Sequence, residues 1–292
     1  MNSRQNLRGI ASMLVATGTF VANDSCMKLV MADAPPLQVL AMRGIAACLW
    51  CLPLLLVIGY GRQLPHALNR WVVLRSTFEC VAIVAFVFAL PRMAIADITA
   101  IAQISPLLVL VGASVLWGEH IGPVRWLFIA FGIAGALLVA QPGSSAASPF
   151  AALGFVTAAA AALRDITSRK VAFAIPALVV TFNTLVTVML CAMVGSFLFE
   201  NQVRPTPTHL VLMAMSGFFL MCGHYFIFLA YRLGNARVVA PFMYSFTLWA
   251  VLSGFFIFGD IPNLVAIAGM AVITVTGIAV LIFEGRAERS LS

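Results

Sequence analysis

Charge is what this chain has least of. Lysine, arginine, aspartate and glutamate make up 9% of its 292 residues, against 62% hydrophobic residues and a mean hydropathy of +1.05. A soluble domain carries about a quarter of its residues charged. The apolar residues here cannot all be core, so lipid must be the solvent for most of the chain, and a soluble α/β domain is excluded. Signature motifs are missing too. The sequence has no G-x-x-x-x-G-K-[ST], no H-E-x-x-H and no dinucleotide glycine fingerprint. Work driven by ATP on this chain alone is therefore not expected, nor is any cofactor. Histidine is scarce: His66, His120, His209 and His224 lie on four different segments, which argues against a metal centre. No loop is long enough to form a soluble domain.

The formal charge of +7 does not point to nucleic acid, because Lys and Arg sit singly at the ends of apolar stretches instead of forming one patch. The six cysteines all fall inside apolar stretches. Cys48 and Cys51 are spaced as C-x-x-C, but mid-helix in lipid, where they read as packing residues. Arg4 and Arg8 before an apolar run imitate a signal peptide. The run is long enough to span a membrane, so it reads as a retained first helix.

What is present is a succession of apolar runs. A spanning helix needs about 20 such residues. Ten candidates occur, at 7–31, 36–59, 71–90, 95–117, 122–140, 149–170, 176–199, 208–231, 236–258 and 262–283. Pro and Gly mark the short connections, among them Ala34-Pro35-Pro36 and Gln141-Pro142-Gly143-Ser144-Ser145. With ten spans, Arg4, Arg8, Arg62, Arg70, Arg125, Arg169, Lys170, Arg232, Arg237, Arg286 and Arg289 fall on one side. Little beyond Arg92 and Arg204 falls on the other. That asymmetry puts both termini in the cytoplasm.

The two halves repeat each other at a fixed offset of 141 positions. Asp24 aligns with Asp165, Lys28 with Arg169, Pro35 with Pro176, Ala89 with Ala230, and Gly118-Glu119 with Gly259-Asp260. The expected architecture is an all-α integral membrane protein of ten transmembrane helices, built as two inverted five-helix repeats, 1–148 and 149–292. Five is an odd number, so the halves enter the membrane in opposite senses. That arrangement suits a carrier in which one site is served by two related gates.

On particular residues the chain resembles the drug/metabolite transporter superfamily, of the EamA type. The resemblance rests on Asn23-Asp24-Ser25-Cys26-Met27-Lys28, Ala34-Pro35-Pro36-Leu37-Gln38, Arg43, Ile104-Ser105-Pro106-Leu107 and Leu116-Trp117-Gly118-Glu119-His120. It covers essentially the whole chain. It implies a ten-helix carrier with a central cavity and peripheral fifth and tenth helices. The second half departs from the pattern, with Thr247 opposite Pro106 and Asp260 opposite Glu119.

Charges inside spans are the first functional candidates, since each costs about 2.5–3.5 kcal/mol to insert. Asp24 and Lys28 share a face of the first span. Arg43 on the second lies at a similar depth to Asp24, so the two are expected to pair, either as an outer gate or as a static ion pair. Glu79 on the third span is a candidate coupling residue, or else an ion-pair partner of Arg75. Arg164 and Asp165 lie on the sixth span, where Asp165 and Arg169 mirror Asp24 and Lys28 as an inner gate or an interfacial anchor. His224 is a second coupling candidate or a core histidine, in an aromatic run with Tyr225. Gln103, Ser105 and Pro106 lie on the fourth span and Pro241, Tyr244, Ser245 and Trp249 on the ninth, its partner by the repeat, and both spans should kink and bend as gates around the midplane. Trp50 lies mid-membrane, whereas Trp71, Trp117 and Trp126 sit at interfaces. Gly132, Gly135, Gly269 and Gly277 permit close helix approach, within one chain or in a homodimer.

The expected activity is secondary active transport of a small organic metabolite across the cell inner membrane by alternating access. The partners implied are that small-molecule substrate and the lipid bilayer. The late Asn-Asp…Lys of the first span, Pro-Pro-Leu-Gln and the second-span Arg are similar to bacterial carriers for riboflavin and S-adenosylmethionine, and riboflavin uptake is the substrate expected. Export of amino acids or drug-like metabolites is the alternative within the fold. A membrane-embedded enzyme or scaffold is the alternative of another class.

Overall fold

The computed structural model describes residues 3–117, 122–142, 148–172 and 174–290. Gly118, Glu119, His120 and the Gly143-Ser144-Ser145 linker lie outside the described residues, as do the side chains of Trp117, Arg125, Arg237, Arg286 and Arg289. The chain is an all-α membrane protein, with no strand among the described residues. In order the helices are α1 (Ser3–Val30), α2 (Pro36–Val57), α3 (Arg70–Ala89), α4 (Ile95–Ala102), α5 (Ser105–Trp117), α6 (Pro123–Ala140), α7 (Ala151–Ser168), α8 (Ala177–Phe199), α9 (Pro207–Leu233), α10 (Ala236–Val239), α11 (Ser245–Ser253) and α12 (Leu264–Ser290).

Among the described residues these twelve helices make ten runs, one for each apolar stretch, because two runs are interrupted. The fourth is α4 and α5 around Gln103-Ile104. The ninth is α10, a 3-10 turn over Ala240–Tyr244, α11 and a π-helical turn over Gly254–Phe258. Among the described residues six runs are long and apolar enough to cross a membrane, and Trp126–Ala140 and Leu264–Val280 are shorter apolar helices. The remaining two, α1 and α7, carry Arg8, Asp24 and Lys28 and Arg164 and Asp165 respectively. Large apolar side chains face outward along the runs, including Val57, Phe197, Phe199 and Leu264, each at least 80% exposed. Such continuous apolar surface is stable only against lipid.

Proline sets several helix starts. Pro36 and Pro123 stand in the first turns of α2 and α6, where a missing N–H costs nothing. Pro35 and Pro176 are the extended residues immediately before α2 and α8. The 141-residue offset recurs in the helix starts themselves: Pro36 with Ala177, Ile95 with Ala236, and Pro123 with Leu264. Gly259 has a φ of 70°, a left-handed conformation that lets the chain leave the π-helical turn.

By contacts the residues divide into two compact units, and neither is a half of the sequence. One takes α1 as far as Ala22, then Met93–Ala151, then the chain from Cys222 on; the other takes Asn23–Arg92 and Ala152–Met221. In the first unit α6 lies against α12 through glycine: a Cβ on Gly269 would come within 2.6 Å of the Gly135 carbonyl oxygen. Leu107, Ile129 and Val280 form a core cluster there. In the second unit α8 lies against both α2 and α3. Gly44 admits Met189, whose Cβ would lie 2.8 Å from a Cβ at that position.

Candidate functional site

The second unit gathers most of the intramembrane charge. Asn23 and Asp24 on α1 are buried, as is Arg43 on α2. Asn23 Nδ2 donates to Asp24 Oδ1 at 2.8 Å, and Ser216 on α9 donates to Asn23 Oδ1 at 2.8 Å. Arg43 interacts electrostatically with Asp24 and also with Glu79 on α3. Its Nε makes no hydrogen bond.

Glu79 in turn accepts from Arg164 Nη1 on α7 at 2.6 Å. The same guanidinium forks onto its neighbour Asp165, with Nε–Oδ1 at 2.8 Å and Nη2–Oδ2 at 3.0 Å. Sequence spacing pairs Glu79 with Arg75, and the two interact electrostatically, while the hydrogen-bonded cation is Arg164, reached across helices. Arg75 donates to Ser168 and Thr184 at 3.0 and 2.9 Å, and Ser76 donates to Asn183 at 2.7 Å. The result is an alternating array, Asp24, Arg43, Glu79, Arg164, Asp165, drawn from four helices and ending on the two aspartates that the repeat relates. Alternation of sign makes each charge tolerable in a low dielectric, and the unmet Arg43 N–H leaves a donor for an anionic or hydrogen-bonding group. Lys28 is half-buried on α1.

At one end of this unit the segment after α8 is bound to the start of α2. Both Glu200 carboxylate oxygens accept from backbone N–H groups, of Leu37 at 2.8 Å and Gln38 at 2.9 Å. The Gln38 side chain exchanges two bonds with the backbone of Val203, at 2.6 and 2.9 Å. A cleft lined by Gln38, Met42, Met193, Phe197 and Arg204 opens beside it.

The first unit holds the interrupted helices. Gln103 caps α4 at the break, and Pro106 stands in the first turn of α5. Pro241 lies in the 3-10 turn. Tyr244 is buried at its end, against Gly277 of α12, where no Cβ would fit. Trp249 on α11 donates to the Leu14 carbonyl at 3.0 Å and lies over Gly18. Thr17 and Ser245 share a hydrogen bond of 2.8 Å. His224 meets the Phe20 ring edge-on at 5.2 Å, and Phe246 stacks on Phe20 at 6.2 Å. Tyr225 is 55% exposed and meets the neighbouring Phe226 ring edge-on at 5.4 Å. The sequence reading passed over Ser76, Asn183, Thr184 and Ser216. Their one signal is a hydrogen-bonding side chain inside an apolar span.

Residues 7–141 match the EamA-like transporter family. That match takes in a little under half of the chain. The chain is 29% identical to a riboflavin transporter of Rhizobium johnstonii, over 83% of this chain and 80% of that one. It is 25% identical to a pseudopaline exporter of Pseudomonas aeruginosa, over 93% and 95%. It is 22% identical to an S-adenosylmethionine uptake transporter of Rickettsia conorii, over 96% and 95%. A solved crystal structure shares the fold, with a TM-score of 0.64 at 20% identity over 98% of this chain and 99% of that one. These relatives are bacterial transporters by name, each matched over at least 80% of its own length.

Proposed function

We propose that this chain is an EamA transporter that takes up riboflavin, or a metabolite of similar planar, hydrogen-bonding character, across the inner membrane by alternating access. In this reading the repeats 1–148 and 149–292 are inverted, and both termini are cytoplasmic. The observation that carries the reading is the alternating array from Asp24 to Asp165. Five charges within membrane helices are too costly to keep for packing alone, and the array runs between the two positions related by the repeat. Asp24, Lys28 and Arg43 then act at the outer end and Asp165 at the inner end. Glu79 takes up and releases a coupling proton, and Arg164 stabilises its charged form. His224 is the second candidate for that role. The breaks at Gln103-Pro106 and Pro241-Tyr244 bend as gates, with Tyr225 and Trp249 as aromatic contacts for substrate. The named activity of the Rhizobium johnstonii relative supports the flavin.

The test is uptake of labelled riboflavin into proteoliposomes with and without an imposed pH gradient. Saturable uptake that excess cold riboflavin abolishes is expected. In Glu79→Gln protein the uptake should persist down a riboflavin gradient but lose its response to pH. No uptake by correctly oriented protein overturns the riboflavin reading. The pseudopaline exporter matches over more of this chain than the riboflavin transporter does. That favours a second reading, export of a small metabolite, and efflux from preloaded vesicles would identify it.

A further inference from the structure

The break between α4 and α5 carries polar atoms for which the array has no use. Thr99 Oγ1, both amide atoms of Gln103, Ser105 Oγ and Thr247 Oγ1 are sealed from solvent and make no hydrogen bond. Thr99, Ser105 and Thr247 are 3%, 7% and 6% exposed. Buried polar atoms are almost always bonded, so four such residues on adjoining elements point to a missing partner.

Their placement is specific. Thr99 and Gln103 are four residues apart and share one face of α4. Ser105 opens α5 two residues later, and Thr247 lies on α11, which packs along α4. The backbone adds oxygen there. The N–H groups of Gln103, Ile104, Leu107 and Leu108 are all consumed by carbonyls of the same run. Pro106 has no N–H to give the Ala102 carbonyl, so the break offers more acceptors than donors.

The donor chemistry narrows the ligand. At the break the set is three hydroxyls and one amide; Asp97 Oδ1, also sealed and without a hydrogen bond, stands in the first turn of α4, at the helix end away from the break. Transition metals want nitrogen or sulfur, and Ca²⁺ and Mg²⁺ want carboxylates. Among the described residues no group of three or more His, Cys, Asp or Glu could hold a metal. Neutral oxygens suit a single positive charge. Carbonyls at the C-terminal end of a half-helix are the kind of groups with which discontinuous helices hold Na⁺. Atoms this tightly enclosed accept a bare ion in preference to a metabolite.

We propose that the α4–α5 break, together with Thr247 of α11, binds one Na⁺ ion. The site is single because the repeat places Pro106 and Thr247 opposite each other, one supplying the break and the other a hydroxyl. Binding of the ion does not depend on the transport reading; its use as a coupling ion does.

The test is ²²Na⁺ binding to the purified full-length protein in choline chloride, with no organic substrate present. Saturable binding is expected, with KCl displacing the label at least tenfold less well than NaCl. Gln103→Leu and Thr247→Val should each weaken binding at least tenfold. They should also remove the rise in melting temperature that NaCl gives the parent. Thr17→Val, which alters a paired hydroxyl in the same unit, should bind as the parent does. Size-exclusion profiles select folded variants, and Ser105→Ala replaces any variant that fails this check. Absence of saturable binding by folded parent protein, or unchanged affinity in both variants, overturns the site. Binding without riboflavin uptake keeps the site and sinks the substrate. Uptake without Na⁺ binding does the reverse.

Discussion

Arg43 sits between two carboxylates of different helices, Asp24 and Glu79, and is 4% exposed. Removing one partner from a buried ion pair is far worse than removing both, because the survivor keeps its desolvation cost. Arg43→Gln should therefore destabilise the protein by about 3–5 kcal/mol. Asp24→Asn in the same chain should recover part of that loss, with transport still absent. Thermal unfolding and uptake assays on both single variants and the double one would check the coupling. A simple sum of the two single effects would contradict the pairing. Sequence spacing was enough to nominate Asp24, Arg43, Glu79 and Asp165, because a charge in an apolar run announces itself. It could not supply Arg164 as a partner of Glu79. Arg75 is visible four residues away on the same helix, whereas Arg164 is 85 positions distant and reaches Glu79 only once α3 and α7 are side by side.

Among the elements, the contrast is between helix starts and helix breaks. Pro35, Pro36 and Pro176 fix starts locally, so those boundaries were legible to within a residue or two. Pro106 announces an interruption, but the 3-10 turn over Ala240–Tyr244 and the π-helical turn over Gly254–Phe258 are set by what α11 packs against. Tyr244 needs Gly277 beside it, and that contact is invisible in either segment alone. The glycine face between α6 and α12 behaves differently, since the backbones themselves touch. Gly269→Val would drive a side chain into the Gly135 carbonyl and Val139, and should cost about 1–3 kcal/mol. The same change at exposed Gly122, which has nothing within 4 Å, should be nearly neutral. Melting temperatures in one detergent compare the two.

At the scale of the molecule, the sequence repeat and the compact units divide the chain differently. Residues 1–148 and 149–292 each contribute to both units, and the division falls inside α1 and α9. No periodicity announces this, because contacts between distant helices decide it. The orientation expected from loop charge is directly measurable. All six native cysteines are free, so labelling needs a cysteine-less background. There, Arg204→Cys should react with a membrane-impermeant maleimide on intact cells. Arg4→Cys should react only after lysis. The opposite pattern would invert the topology and exchange the two ends of the charged array.

The Glu200 contact bears on where this protein can be altered. Connecting segments between membrane helices are ordinarily the natural places to insert an epitope or a fluorescent reporter. The stretch 200–206 is a poor choice, because its carboxylate and backbone close the exposed end of α2, from 163 positions away. An insertion immediately after Glu200 would separate that cap from the Val203 anchor and unfasten both at once. A tag there should silence transport while the protein still reaches the membrane, and would be mistaken for a lesion in the substrate site.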